Sequence, residues 1–199
     1  MAKLQRDAVI AAALDLLNEV GVDGLTTRKL AERLGVQQPA LYWHFKSKQA
    51  LLDALSDAMM REHMHTLPSP GGPWKEFLYA NARSFRRALL AYRDGARIHA
   101  GTRPAAPQYQ RVPAQIKLLC DAGFTPLRAA NALVAISHYV VGSVMEQQAG
   151  EAAAPERVAP PAPPPALART MKALDRQGPD ATFEYGLAMM LDGLSPDLP

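Results

Sequence analysis

The 199-residue chain has a single cysteine, Cys120, which rules out an internal disulfide framework and a cysteine metal cluster. Aromatic residues make up only 7%. Alternating Val/Ile/Thr-rich runs bounded by turns are nearly absent, which argues against a sheet-based fold. Charges are expected to break the longest apolar runs short of a membrane span. The apolar N-terminal stretch carries Asp7, Asp15 and Glu19, which a secretory leader would lack, so a cytoplasmic protein is expected. There is no internal repeat. No nucleophile motif or dense ligand cluster is present either, which disfavours an enzyme.

Hydrophobic residues are 48% and charged residues 21%, the balance of a globular chain of one domain or two small ones. The net charge of +3 says little, but its distribution says more. Residues 25–48 hold Arg28, Lys29, Arg33, Lys46 and Lys48 against Glu32 alone, whereas residues 1–65 as a whole balance. A second basic stretch runs from Lys75 to Arg111. Positive charge focused in this way suits a small nucleic-acid footprint.

The pattern reads as helix after helix. Val9, Ala13, Leu16 and Val20 share a stripe over Gln5–Val20, with Gly21 as the stop. A second helix opens at Thr26 or Thr27 and ends at Gly35; a short third one follows Pro39 and ends near His44 or Phe45. Ser47 can cap a longer helix carrying Leu52, Leu55, Met59 and His63. Pro68, Pro70, Gly71, Gly72 and Pro73 then break the chain. Helices are expected again at Trp74–Leu90, Arg93–Ala100, Gln108–Ala122 and Thr125–Gln148. Six prolines in residues 155–165 predict an extended linker, followed by helices at about Leu167–Asp175 and Thr182–Leu194. The fold class is all-α. The boundary divides it into a smaller unit, residues 1–66, and a larger one, residues 67–199.

Thr26–His44 has the layout of a helix-turn-helix, with Gly35-Val36-Gln37 as the turn. Leu41 and Phe45 are spaced to face inward, while Gln38 and Tyr42 face outward with Trp43 and His44 nearby. A glutamine can bond an adenine edge at two points, and aromatic rings can pack on sugars or thymine methyls. Lys46 and Lys48 lie where phosphates would pass, and Arg28 could reach a guanine edge or a phosphate. The bland alternative is a helical hairpin with a solvated basic face.

Leu25–Ala31, Leu34-Gly-Val36, Gln38-Pro39, Leu41-Tyr-Trp-His44 and Lys48, running into Ala50–Leu55, resemble the DNA-binding domain of the TetR family. The likeness continues in Arg93–Ala96, His99–Pro104 and Gly123-Phe124, where it is closest to the tetracycline-responsive members. The resemblance implies that Arg28, Gln38, Tyr42, Trp43 and His44 touch a palindromic operator, Thr27 and Lys48 contact its phosphates, and Pro39 packs at the groove. Ala40 stands where those members have threonine, which implies the same docking with an altered operator preference.

It further implies an inducer pocket for a tetracycline–Mg2+ chelate, lined by Met64, Asn81, Phe85, His99, Thr102, Arg103, Pro104, Gln115, Leu133, His138 and Glu146. His99 would bind the metal directly, with Thr102 and Glu146 holding its waters. Magnesium commonly keeps several waters, so one protein ligand beside a chelating drug is chemically sensible. His138 and Glu146 lie eight apart on one helix, about 80° apart around its axis, and so need not face one pocket. In the family the glutamate reaches the pocket of the partner subunit. Met64 occupies a position where the family has a drug-contacting histidine. Three readings stay open there: weaker tetracycline binding, substitution by His65, or a different planar or chelating ligand.

The apolar Leu133, Ile136, Val140, Val141 and Val144, with Phe183, Leu187, Met190, Leu191 and Leu194, must be buried. A monomeric core would do this. The resemblance instead implies a homodimer through a four-helix bundle, acting as a repressor of a drug-resistance efflux gene.

Overall fold

Val9, Ala13, Leu16 and Leu17 form one stripe of α1 (Arg6–Gly24), and all four are buried. The computed structural model describes residues 5–64, 67–102, 111–151 and 162–195. The expected stop at Gly21 is a kink: this glycine sits at φ 70°, ψ 173°, and helical hydrogen bonding resumes beyond it. Glycine alone reaches that region without a steric cost.

The expected reversal follows. α2 (Thr27–Leu34) starts at Thr26, whose hydroxyl accepts from the Lys29 amide, and ends at Gly35 in the left-handed conformation. α3 (Gln38–Tyr42) has Pro39 in its first turn and stops slightly short of the predicted His44. Leu41 and Phe45 face inward, and Val36 packs partly buried against the core. Ser47 caps α4 (Lys48–His63) by accepting from the Ala50 amide.

The larger unit continues with α5 (Trp74–Leu90), α6 (Gly95–Ala100), α7 (Val112–Asp121), α8 (Pro126–Glu151) and α9 (Pro165–Asp192). Among the described residues there is no strand. α6 is shorter than its predicted Arg93 start because Asp94 is left-handed, at φ 58°. A Cβ at Gly95 would lie 2.2 Å from the Leu89 carbonyl oxygen, so only glycine lets α5 turn directly into α6. The predicted start of α7 at Gln108 lies outside the described residues. Gly178, at φ 79° and ψ 169°, breaks α9 before Pro179, which makes the two predicted segments. The first begins at Pro165, inside the stretch expected to be linker; residues 155–161 of that stretch lie outside the described residues.

One apolar cluster runs from α1 to α9. α4 is its shared member, packing on α1 and on α5 and α6. Polar struts join the α1–α2 corner to α6. Asp94 Oδ2 accepts from the Val22 amide at 2.9 Å, and Arg97 donates to both carboxylate oxygens of Asp23 at 3.0 Å. α8 is long and apolar enough to cross a membrane, so the expectation that charges interrupt every such run was too strict. Ala129, Ala132, Ile136, Val140 and Val144 are its buried row, and α5, α6, α7 and α9 pack against the helix.

Candidate functional site

Two surfaces stand out, at opposite ends of α4. The first is the outer face of α2–α3. Trp43 is 83% exposed and Tyr42 44%, unusual for large aromatic side chains on a monomer surface. Gln38, Pro39 and Lys48 are exposed beside them, while Ala40 and His44 are half-buried. Gln38 Nε2 donates to Thr27 Oγ1 at 2.7 Å, which fixes its amide across the angle between the two helices. Arg28 pairs with Glu32 one turn on, and both side chains stay largely exposed. That pair is weak in water and easily exchanged for another anion. Of the eight residues expected to read an operator, Thr27 and Arg28 lie on α2, Gln38, Pro39 and Tyr42 on α3, Trp43 and His44 just after it, and Lys48 at the start of α4.

The second surface is a cavity of about 680 Å3 enclosed by α4, α5, α6, α7 and α8. Its walls include Met60, Phe85, Ile116 and Leu133; its polar lining is Asn81, His99, Gln115 and Ser137, with the charged Arg6, Asp57, Arg61 and Arg111. That is the usual make-up of a small-molecule site. Asn81 Oδ1 is buried without a hydrogen-bond partner among the described residues, a cost that a ligand donor would remove. The His99 ring lies edge-on to Phe85, with centroids 4.9 Å apart. Its Nδ1 is 3.2 Å from Ser56 Oγ, which leaves Nε2 as the nitrogen uncommitted among the described residues. Burial holds the His99 pKa below the ordinary histidine value and so favours the neutral ring. A neutral imidazole with one free nitrogen is a competent metal ligand. Among the described residues, no three His, Cys, Asp or Glu side chains converge on one point. The donor set therefore fits a metal that brings most of its own ligands, as hydrated and drug-chelated magnesium does.

Comparison with known proteins shows the family. Residues 9–55 match "Bacterial regulatory proteins, tetR family", and residues 67–198 match "Tetracyclin repressor-like, C-terminal domain". The chain belongs to the TetR family. It is 62% identical to the class A tetracycline repressor protein of transposon 1721 from Escherichia coli, over 98% of this chain and 92% of that one. The class G tetracycline repressor protein of Vibrio anguillarum is 57% identical, over 97% and 94%. Among solved structures, TetR from Acinetobacter baumannii AYE superposes with a TM-score of 0.84 at 55% identity, over 96% of each chain. TetR(class A) in complex with 5a,6-anhydrotetracycline and magnesium gives 0.77 at 54%, over 96% of this chain and 97% of that one.

Against this TetR background, the residues expected around the inducer divide into three groups. Met64, Asn81, Phe85, His99, Gln115 and Leu133 line the cavity. Arg103 and Pro104 lie outside the described residues. Thr102, His138 and Glu146 are not on the cavity wall of their own chain. The Thr102 hydroxyl is turned back to donate to the His99 carbonyl at 3.0 Å. His138 and Glu146 are exposed on α8, where the helical angle between them and the buried row carries both away from the cavity.

The sequence reading missed Ser56, Arg111 and Gln49. Ser56 is 3% exposed behind His99. Arg111 lines the cavity and donates to the Met64 carbonyl. Gln49 donates to the Gly101 carbonyl at 2.9 Å. The only signal for Ser56 was its polarity on the apolar face of α4. The other two are surface-type residues with no local mark of their contacts.

Proposed function

We propose that this chain is a homodimeric transcriptional repressor that grips a palindromic operator and is released by a tetracycline–Mg2+ chelate bound in the α4–α8 cavity. Residues 1–66 are the reading unit, and residues 67–199 are the sensing and pairing unit. The observation that carries this reading is the cavity itself: a neutral imidazole with a free nitrogen and an orphaned amide oxygen converge in an apolar pocket of drug size. The printed names of its relatives add tetracycline and magnesium as the ligand class. Operator contact falls to Thr27, Arg28, Gln38, Pro39, Tyr42, Trp43, His44 and Lys48, in the cytoplasm where operator DNA lies.

His99 supplies the direct metal contact, Asn81 and Gln115 bind the polar edge of the drug, and Phe85 and Leu133 face its rings. Thr102 would hold a metal-bound water once its hydroxyl leaves the His99 carbonyl, and Arg103 and Pro104 continue that segment. Glu146 and His138 act from the paired face of α8. When bound, magnesium supplies Lewis-acid attraction for the drug's enolate oxygens. α4 is the part that transmits the event, since it packs on α6 through Gln49 and Ser56 and follows directly on the reading helices. Reversing a 99:1 population of operator-competent to released forms takes about 5.5 kcal/mol of differential affinity.

Calorimetric titration with tetracycline, with and without Mg2+, tests the reading together with operator selection from random duplex DNA. Magnesium-dependent binding, and a palindromic site released by the drug, are expected. Met64 on the cavity wall favours a second reading, a sensor of another planar or chelating compound. Operator binding that tetracycline does not disturb would select it.

A further inference from the structure

We propose that Ser56 is the positioning residue of the metal-binding imidazole. Its hydroxyl oxygen accepts from His99 Nδ1–H, fixes the tautomer with the lone pair on Nε2, and fastens that ring to α4. The proposal rests on the reading of His99 as the direct metal ligand.

The argument starts from burial. Ser56 is one of the few buried polar side chains, and it lies in the middle of α4 among Leu51, Leu55 and Met59. A hydroxyl removed from water costs stability unless it finds a partner. Its partner is His99 Nδ1, 3.2 Å away on α6. Ser56 is not part of the cavity wall, whereas His99 is. The serine therefore stands behind the ring and the cavity lies in front of it. Phe85 meets the ring at 70° from a third helix and limits its rotation. Hydroxyl and phenyl together leave one orientation, with Nε2 as the nitrogen available to the cavity. Histidines that bind metals generally donate through their second nitrogen to an oxygen, which sets the tautomer and raises ligand basicity.

The same contact has a mechanical side. Gln49 lies seven residues before Ser56, two helical turns, and so on the same face of α4. Its side chain bonds the carbonyl of Gly101, the C-cap of α6, two residues beyond His99. α6 is thus held to α4 by two polar struts, one of them ending on the metal-binding ring. Any displacement of His99 that accompanies ligand entry acts directly on the helix that carries the reading unit.

Two measurements on the full-length protein test this, using Ser56→Ala and Ser56→Thr, with circular dichroism as the fold check. Long-range 1H–15N correlation of the ligand-free protein should show His99 with a pyrrole-type Nδ1 and a pyridine-type Nε2. Ser56→Ala should lose that preference and Ser56→Thr should keep it. The Mg2+ concentration that half-saturates tetracycline fluorescence should rise about tenfold or more in Ser56→Ala. It should stay close to the parent value in Ser56→Thr. An Nε2–H tautomer in the parent, or an alanine variant with unchanged tautomer and magnesium response, overturns the proposal. Failure of the parent to bind tetracycline with Mg2+ overturns the inducer reading instead, and the tautomer comparison still decides the role of Ser56.

Discussion

At single positions, the chain shows how a departure from a family pattern becomes chemistry. Met64 is the C-cap of α4 and lines the cavity, and its carbonyl accepts from Arg111. A thioether fills space and is only a feeble hydrogen-bond acceptor. A polar drug edge placed there goes without the partner that a histidine would offer. Met64→His should therefore tighten tetracycline–Mg2+ binding by the worth of one hydrogen bond, about 0.5–1.5 kcal/mol, or roughly two- to tenfold. Fluorescence titration measures it, and unchanged or weaker binding would point to an inducer whose edge is apolar. Motif residues were legible at this level because their chemistry is local. Trp43 and Tyr42 stand out as costly surface aromatics, and His99 and Asn81 as polar groups in apolar stretches. Arg111 and Ser56 were not legible, since each matters through a partner 47 or 43 residues away.

Helices and their joints were legible where a cap or a proline marks them. Ser47, Thr26 and Gly35 take the roles that the pattern assigned. The misplaced boundaries lie where tertiary contact overrides local preference. α6 starts late because Asp94 adopts a left-handed conformation while its carboxylate caps the Val22 amide. The helix after the proline-rich stretch starts early because proline tolerates the first turn. The α4–α6 packing also carries a pH dependence. Burial lowers the His99 pKa, so below the ordinary value of about 6.5 the unfolded chain binds a proton that the folded chain resists. Stability is then complete above that pH and declines as the pH falls below it, by at most about 1.4 kcal/mol per unit. Urea unfolding at pH 7.5 and 5.5 should show a larger loss for the parent than for His99→Gln. Equal losses would mean that the ring is protonated in place.

For the molecule as a whole, the question is what covers its remaining apolar surface. Leu167, Met171 and Leu174 recur at helical spacing on the first half of α9, and all are about half exposed. Tyr185 is 67% and Met189 60% exposed on the second half, with Leu127, Val134 and Met145 exposed on α8. The intrachain side of α9 is already well fastened, by Arg83 to Glu184, Arg86 to Asp180 and the stacked Tyr139–Phe183 pair. These outward side chains are thus surplus to the fold of one chain, and a two-fold partner presenting the same helices would bury them. The sequence signalled greasy helices but not which side faced outward, because a helix apolar nearly all round gives no angular preference. Replacing Tyr185 and Met189 together by aspartate places two charges per chain, four per pair, in that surface while leaving the buried Phe183, Leu187 and Leu191 untouched. The double variant should keep its helix content and sediment as a monomer at micromolar concentration. Operator affinity should fall by about 10²–10⁴, because each reading unit then binds a half-site without its tethered twin. A double variant that still sediments as a dimer would place the subunit contact elsewhere on the chain.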